Sequence, residues 1–112
     1  MSRRLAAATA IALVAALSAA ATAATHTIKI GDNYFVRPAG VPTVTVKKGT
    51  TVTFTWAGTF VHNATVKSGP VKFHSPTQMS GTFTTPRLKK GTYRIFCSIH
   101  GPDDQSMKLV VK

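Results

Sequence analysis

Thr51-Val52-Thr53-Phe54-Thr55-Trp56 alternates strictly between threonine and an apolar side chain. A period of two puts Val52, Phe54 and Trp56 on one face and the threonines on the other, the pattern of a strand buried on one side. Lys47-Lys48-Gly49-Thr50 before it reads as a turn, and Thr43-Val44-Thr45-Val46 before that alternates in the same way. Further upstream, Thr27-Ile28-Lys29-Ile30 places both isoleucines on one side. Downstream, strand candidates run from His62 to Lys67, Val71 to His74, Ser80 to Thr85, Thr92 to Cys97 and Met107 to Lys112, with Ser75-Pro76, Pro86 and Lys89-Lys90-Gly91 as breaks. Nothing reads as a long helix, an internal repeat or a linker. Seven or eight short, β-branched strands between Gly and Pro turns indicate an all-β protein, a Greek-key antiparallel β-sandwich.

Residues 1–23 read as a secretory signal peptide. Arg3 and Arg4 form a positive start, Leu5 to Leu17 is an apolar run, and Ala21-Thr22-Ala23 is a small-x-small cleavage site. The run is shorter than the roughly 20 residues of a membrane span; an uncleaved N-terminal anchor is the alternative. A periplasmic or secreted bacterial protein is expected. What remains, residues 24–112, is one domain of about 89 residues, a size at which a metal clip or a disulfide commonly supplements a modest core.

Cys97 is the single cysteine, so a disulfide within the chain is excluded. It ends a strand with its side chain on the face of Tyr93 and Ile95, and Cys97-Ser98-Ile99-His100 puts an imidazole three residues on. Val61-His62-Asn63 offers a second imidazole at the start of another strand. One thiolate and two imidazoles from separated segments make the ligand set of a mononuclear copper electron-transfer site, a trigonal His2Cys plane with a weak axial donor. Zinc is compatible with the ligand types alone. The charge is strongly basic: beyond Arg3 and Arg4 there are 12 Lys and Arg against Asp32, Asp103 and Asp104, a net of about +9. That favours an anionic partner surface. Nucleic acid is not expected, because export removes the chain from it and no basic cluster is interleaved with aromatics.

These motifs, with His62-Asn63 and the Gly91-Thr92-Tyr93…Cys97 strand, resemble the small blue copper proteins, the plastocyanin and amicyanin group of cupredoxins. The resemblance spans the domain, residues 24–112, and implies one copper per chain held by His62, Cys97 and His100. The plastocyanin ligand loop reads Cys-x2-His-x4-Met. Here the last position is Gln105, and Met107 lies two residues further on. Two axial ligands therefore stand open: Gln105 through Oε1, as in the stellacyanins, or Met107 through a longer loop. Gln implies a lower potential than Met. The acidic Gly101-Pro102-Asp103-Asp104 stretch departs from the pattern. Asn63 matches the family Asn that ties the two ligand segments together, and backbone N–H groups of Ser98 and Ile99 are candidates to bond the sulfur. His100 would be the electron port, within an apolar patch drawn from Gly101, Pro102, Phe35, Val36 and Phe60. Lys47, Lys48, Lys67, Lys72, Lys89 and Lys90 are candidates to steer an acidic redox partner.

His26 and His74 are not needed for this site; His74 reads as a surface residue. If cleavage follows Ala23, the new terminus Ala24-Thr25-His26 could wrap a Cu(II) or Ni(II) in a square plane. The function expected is a monomeric one-electron carrier, Cu(II)/Cu(I), rather than an enzyme, because a copper enzyme needs a further His cluster. A copper carrier or buffer without a redox partner is the alternative.

Overall fold

The computed structural model describes residues 24–112, so the expected signal peptide, residues 1–23, lies outside the described residues. Eight strands follow one another: β1 (Thr25–Gly31), β2 (Tyr34–Phe35), β3 (Thr43–Val46), β4 (Thr51–Trp56), β5 (Thr65–Ser68), β6 (Thr82–Thr84), β7 (Gly91–Phe96) and β8 (Ser106–Val111). They form two four-stranded sheets, ordered β2-β1-β4-β6 and β3-β8-β7-β5. Among the described residues there is no helix. The protein is an all-β sandwich.

The sheets are mixed rather than purely antiparallel. β1 runs parallel to β4, with Ile28 opposite Phe54 and Ile30 opposite Trp56. β3 runs parallel to β8, with Val46 opposite Val111. The other pairs are antiparallel, among them β7 with β8, where Tyr93 faces Leu109 and Ile95 faces Met107. Alternation reports which face a side chain takes, not which strand lies alongside or in which direction, so the parallel pairs were not legible in it.

The alternating residues meet as expected. Val52, Phe54 and Trp56 of β4 are buried while the threonines between them are half-exposed. Ile28, Ile30, Tyr93, Ile95, Met107 and Leu109 join them in one core between the sheets. Phe54 stands at its centre, edge-on to Phe35 at 6.0 Å between ring centroids. The buried Tyr93 hydroxyl donates to the Lys89 carbonyl at 2.8 Å, so its ring fills the core without an orphaned O–H.

The expected strands hold with three local differences. His62 makes only an isolated bridge to Gln78, and β5 begins at Thr65. Val71 to His74 is not a strand; His74 forms a single bridge to Thr65 and stays exposed. The short β2 was missed. A two-residue turn, Asp32-Asn33, folds it back on β1 so that Gly31 pairs with Tyr34, and Asn33 takes the left-handed conformation (φ 66°) that Asn tolerates better than most residues.

Candidate metal centre

β4 carries the chain to one end of the sandwich, and the loop after it carries His62. Four bonds fix this otherwise irregular segment. The Trp56 indole N–H donates to the His62 carbonyl at 2.9 Å. His62 and Gln78 exchange backbone bonds at 3.0 Å. Ser75 Oγ accepts from the Ala64 N–H at 2.9 Å. The His62 side chain is fully buried as a result. β7 ends at the same place. Cys97 follows it, fully buried, and its N–H donates to the Gln105 carbonyl at 3.1 Å. The Gly101 N–H donates back to the Cys97 carbonyl at 2.8 Å, closing a tight loop that holds His100 half-buried above.

The donor atoms of His62, Cys97 and His100 lie within 4.8 Å of one another. Cys97 Sγ is 3.4 Å from His100 Nδ1, and the two imidazole centroids are 4.9 Å apart. A trigonal ion with bonds of about 2.0–2.3 Å keeps its donors roughly 3.5–4 Å apart, so the cluster has the right span for one.

Among the described residues, two buried side-chain atoms have no hydrogen-bond partner: His62 Nδ1 and Gln105 Oε1. Both belong to this end of the molecule. His62 Nε2 is taken by Asp32 Oδ1 at 2.8 Å, which leaves Nδ1 facing the other way. Gln105 Nε2 donates to the carbonyls of Gly31 (2.9 Å) and Tyr34 (3.1 Å). Two carbonyls accept only from the nitrogen end of an amide, so the orientation is settled and Oε1 is the free end. A buried lone pair without a partner is destabilising, and two of them at one end, beside a thiol, suit a cation. Met107 takes a different place. It is the second residue of β8, whereas Gln105 precedes the strand. It is fully buried opposite Ile95 in the hydrophobic core.

Asp32 was not singled out in the sequence. It accepts from the Thr59 N–H (3.0 Å), the Thr59 hydroxyl (2.8 Å) and the Phe60 N–H (3.1 Å) besides His62. The His62 bond above all, then the Thr59 N–H, hold its carboxyl well below the usual carboxylate range. The available signal was the turn Asp32-Asn33, but nothing local says that the turn lies over a histidine thirty positions on.

Asn63 links the two ligand segments. Its Oδ1 accepts from the Ser98 N–H at 2.9 Å and its Nδ2 donates to Ser98 Oγ at 2.8 Å. The Ser98 N–H is therefore spent on Asn63, not on the sulfur. The expected apolar patch needs one correction: Phe35 is a core residue, fully buried against Phe54, because the short β2 turns it inward. Phe60 is 64% exposed and Pro102 exposed, whereas Val36 and Gly101 are half-buried. Val61 and Ile99, next in sequence to His62 and His100, are exposed as well and were missed. Of the candidate steering lysines, Lys47, Lys48, Lys89 and Lys90 sit in turns at the opposite end, before β4 and β7 begin. Lys67 on β5 and Lys72 after it are exposed on the flank. His26 and Thr25 stand in the β1–β4 ladder, so a square-planar wrap there would have to unzip the start of β1.

The sequence profile of the Cupredoxin-like domain matches residues 4–111. No curated protein matches the chain. Among solved structures, a purple cupredoxin from Nitrosopumilus maritimus superposes with a TM-score of 0.63 at 21% identity, over 78% of this chain and 99% of that one. A methionine-to-glutamine variant of amicyanin in the Cu(I) form gives 0.64 at 24% identity, over 79% and 82%. A copper-containing nitrite reductase from Thermus scotoductus SA-01 gives 0.65 at 24%, but the matched region is only 22% of that longer chain. Donor set, spacing and fold agree that His62, Cys97 and His100 are positioned to bind one copper ion.

Proposed function

Because the chain belongs to the cupredoxin-like family, we propose that it is an exported one-electron carrier whose copper is held by His62, Cys97 and His100 with Gln105 Oε1 as the axial donor. The observation that carries this is the pair of orphaned buried lone pairs, on His62 Nδ1 and Gln105 Oε1, at the end where Cys97 and His100 converge. Copper bound there supplies a Cu(II)/Cu(I) couple, with the soft thiolate favouring Cu(I) and the imidazoles serving both states. The protein's part is to hold the donors still. Asn63 locks the His62 segment to the Cys97 segment, Trp56 anchors the His62 backbone, and Gln105 is fixed by two carbonyls.

His100 is the half-buried member of the set and serves as the port, with exposed Phe60, Val61 and Ile99 beside the ligands in sequence as the contact surface. A redox protein with an acidic surface is the partner proposed, drawn by the net positive charge chiefly at low ionic strength. An electron carrier is favoured over an enzyme because the purple cupredoxin and the amicyanin variant are matched over most of their length, whereas only 22% of the nitrite reductase chain is. Signal cleavage after residue 23 places the 24–112 domain in the periplasm or outside the cell, as a monomer.

The test is the visible and EPR spectrum of the Cu(II)-loaded protein. An intense thiolate-to-copper band is expected, abolished in Cys97→Ser. A protein that binds copper without that band is a copper carrier or buffer instead, the second reading.

A further inference from the structure

The two orphaned atoms share one cause. His62 is gripped at Nε2 by Asp32, and Gln105 is gripped at Nε2 by the carbonyls of Gly31 and Tyr34. All three grips come from the four residues of the β1–β2 hairpin, Gly31-Asp32-Asn33-Tyr34. We propose that this hairpin is a positioning device for the metal centre, which turns the free ends of His62 and Gln105 into donors and weights the site toward the more highly charged copper state. The inference rests on the copper reading above and extends it to residues that touch no metal.

The physical argument has three steps. A carboxylate accepts, so the atom it meets on His62 must carry the proton, and the neutral ring then has its lone pair on Nδ1. A carboxylate behind a ligating imidazole also makes it a stronger donor and adds a fixed negative charge close to the ion, which stabilises the dipositive state more than the monopositive one. Finally, the hairpin is itself immobilised. Asp32 accepts three further bonds from Thr59 and Phe60, the Ala57 N–H donates to the Ile30 carbonyl at 2.8 Å, and the Val36 N–H donates to the Lys29 carbonyl at 2.8 Å. Two glycines make room. A Cβ at Gly58 would run into the Asp32 carboxylate and come within 2.9 Å of its backbone nitrogen, and a Cβ at Gly31 would run into the Tyr34 ring. Gly58 is thus required where Asp32 needs to lie close, although it touches neither ligand.

The experiment has a metal-free and a metal-bound arm. In the metal-free wild-type protein, long-range 1H–15N correlations of His62 are expected to show the proton on Nε2 and a bare Nδ1. A proton on Nδ1 overturns the proposal, whatever the copper chemistry turns out to be. In the second arm, Cu(II) and Cu(I) affinities are measured for Asp32→Asn and for Gly58→Ala, which keeps the carboxylate but pushes it away. Cu(II) affinity is expected to fall about 10–100-fold, as for other partners behind a ligating histidine, and Cu(I) affinity by less. Each tenfold of that difference is a rise of about 59 mV in the one-electron potential. Equal losses in the two states, or none, overturn it. If wild-type protein lacks the thiolate-to-copper band, the electron-carrier reading fails, while the His62 tautomer still decides the role of the hairpin.

Discussion

Single atoms decide the chemistry here, and Gln105 shows how. Its amide is divided: the nitrogen holds two carbonyls, and the buried oxygen is left without a partner. With Gln105 as the axial donor proposed above, Gln105→Met substitutes a thioether for the amide oxygen and removes the bonds to the Gly31 and Tyr34 carbonyls. The metal-free protein is expected to lose about 1–3 kcal/mol in denaturant unfolding, while the copper form moves to a higher potential by voltammetry, because axial identity tunes the couple. Residue patterns carried this scale well for Cys97, His62 and His100, whose types are rare and whose spacing is restrictive. They left Gln105 and Met107 open. They lie two residues apart where the ligand loop passes into β8, and only the fold shows that Met107 packs in the core opposite Ile95 while Gln105 bonds to the β1–β2 hairpin.

At the level of elements, the two ligand segments come from opposite sides of the sequence and are joined by one side chain. Asn63 makes four bonds, to Ser98 through both backbone and hydroxyl, to Thr77 and to Thr65. Asn63→Ala is expected to destabilise the protein by about 2–3 kcal/mol, since several partly buried groups lose their partner at once. Copper release measured by chelator competition is expected to quicken in the same variant. A second joint is Tyr93 on β7. Burial pushes its phenol above the ordinary tyrosine value. The folded state then keeps the phenolic proton at pH values where the unfolded chain has released it. This part of the stability is present in full below about pH 10 and falls as pH rises beyond it. Tyr93→Phe is expected to lose about 1 kcal/mol at neutral pH and to lack that alkaline decline, measured by urea unfolding at pH 7 to 11. Strands of strong alternation, such as Thr51–Trp56, were legible because period two has one interpretation. His62 to Ala64 was read as strand from its composition, yet tertiary bonds from Trp56, Gln78 and Ser75 hold it as an irregular ligand segment.

Across the whole molecule, the acidic residues are placed unevenly. The chain's three acidic residues lie at the metal end: Asp32 against His62, and Asp103 and Asp104 within the ligand loop. The opposite end is basic, where the Lys47-Lys48 turn, the Lys89-Lys90 turn and Lys112 are drawn together. The Gly49 N–H donates to the Leu88 carbonyl at 3.1 Å and the Lys48 N–H to the Lys112 carbonyl at 2.8 Å. A six-residue strand separates the two ends by roughly 20 Å, beyond the Debye length of about 8 Å at physiological ionic strength. Replacing Lys47, Lys48, Lys89 and Lys90 by Gln is therefore expected to change electron exchange with a small anionic oxidant by less than about twofold near 0.15 M salt. At about 0.01 M, where the screening length reaches roughly 30 Å, it is expected to slow it clearly; stopped-flow rates at the two ionic strengths check this. Composition announced that the protein is basic, but a sum over residues has no direction, and the pole where the lysines gather is set by which turns the sheets bring side by side. By itself the sequence determined an all-β domain, its inward faces and three side chains suited to hold a metal ion, because periodicity and ligand chemistry act within a few residues of one another. Tertiary structure alone decided the parallel pairing of β1 with β4 and of β3 with β8, the inward turn of Phe35, and the grip of the Asp32 hairpin on His62 and Gln105. Those depend on contacts between segments separated by tens of residues, and no local pattern encodes which distant backbone will arrive to complete a hydrogen bond.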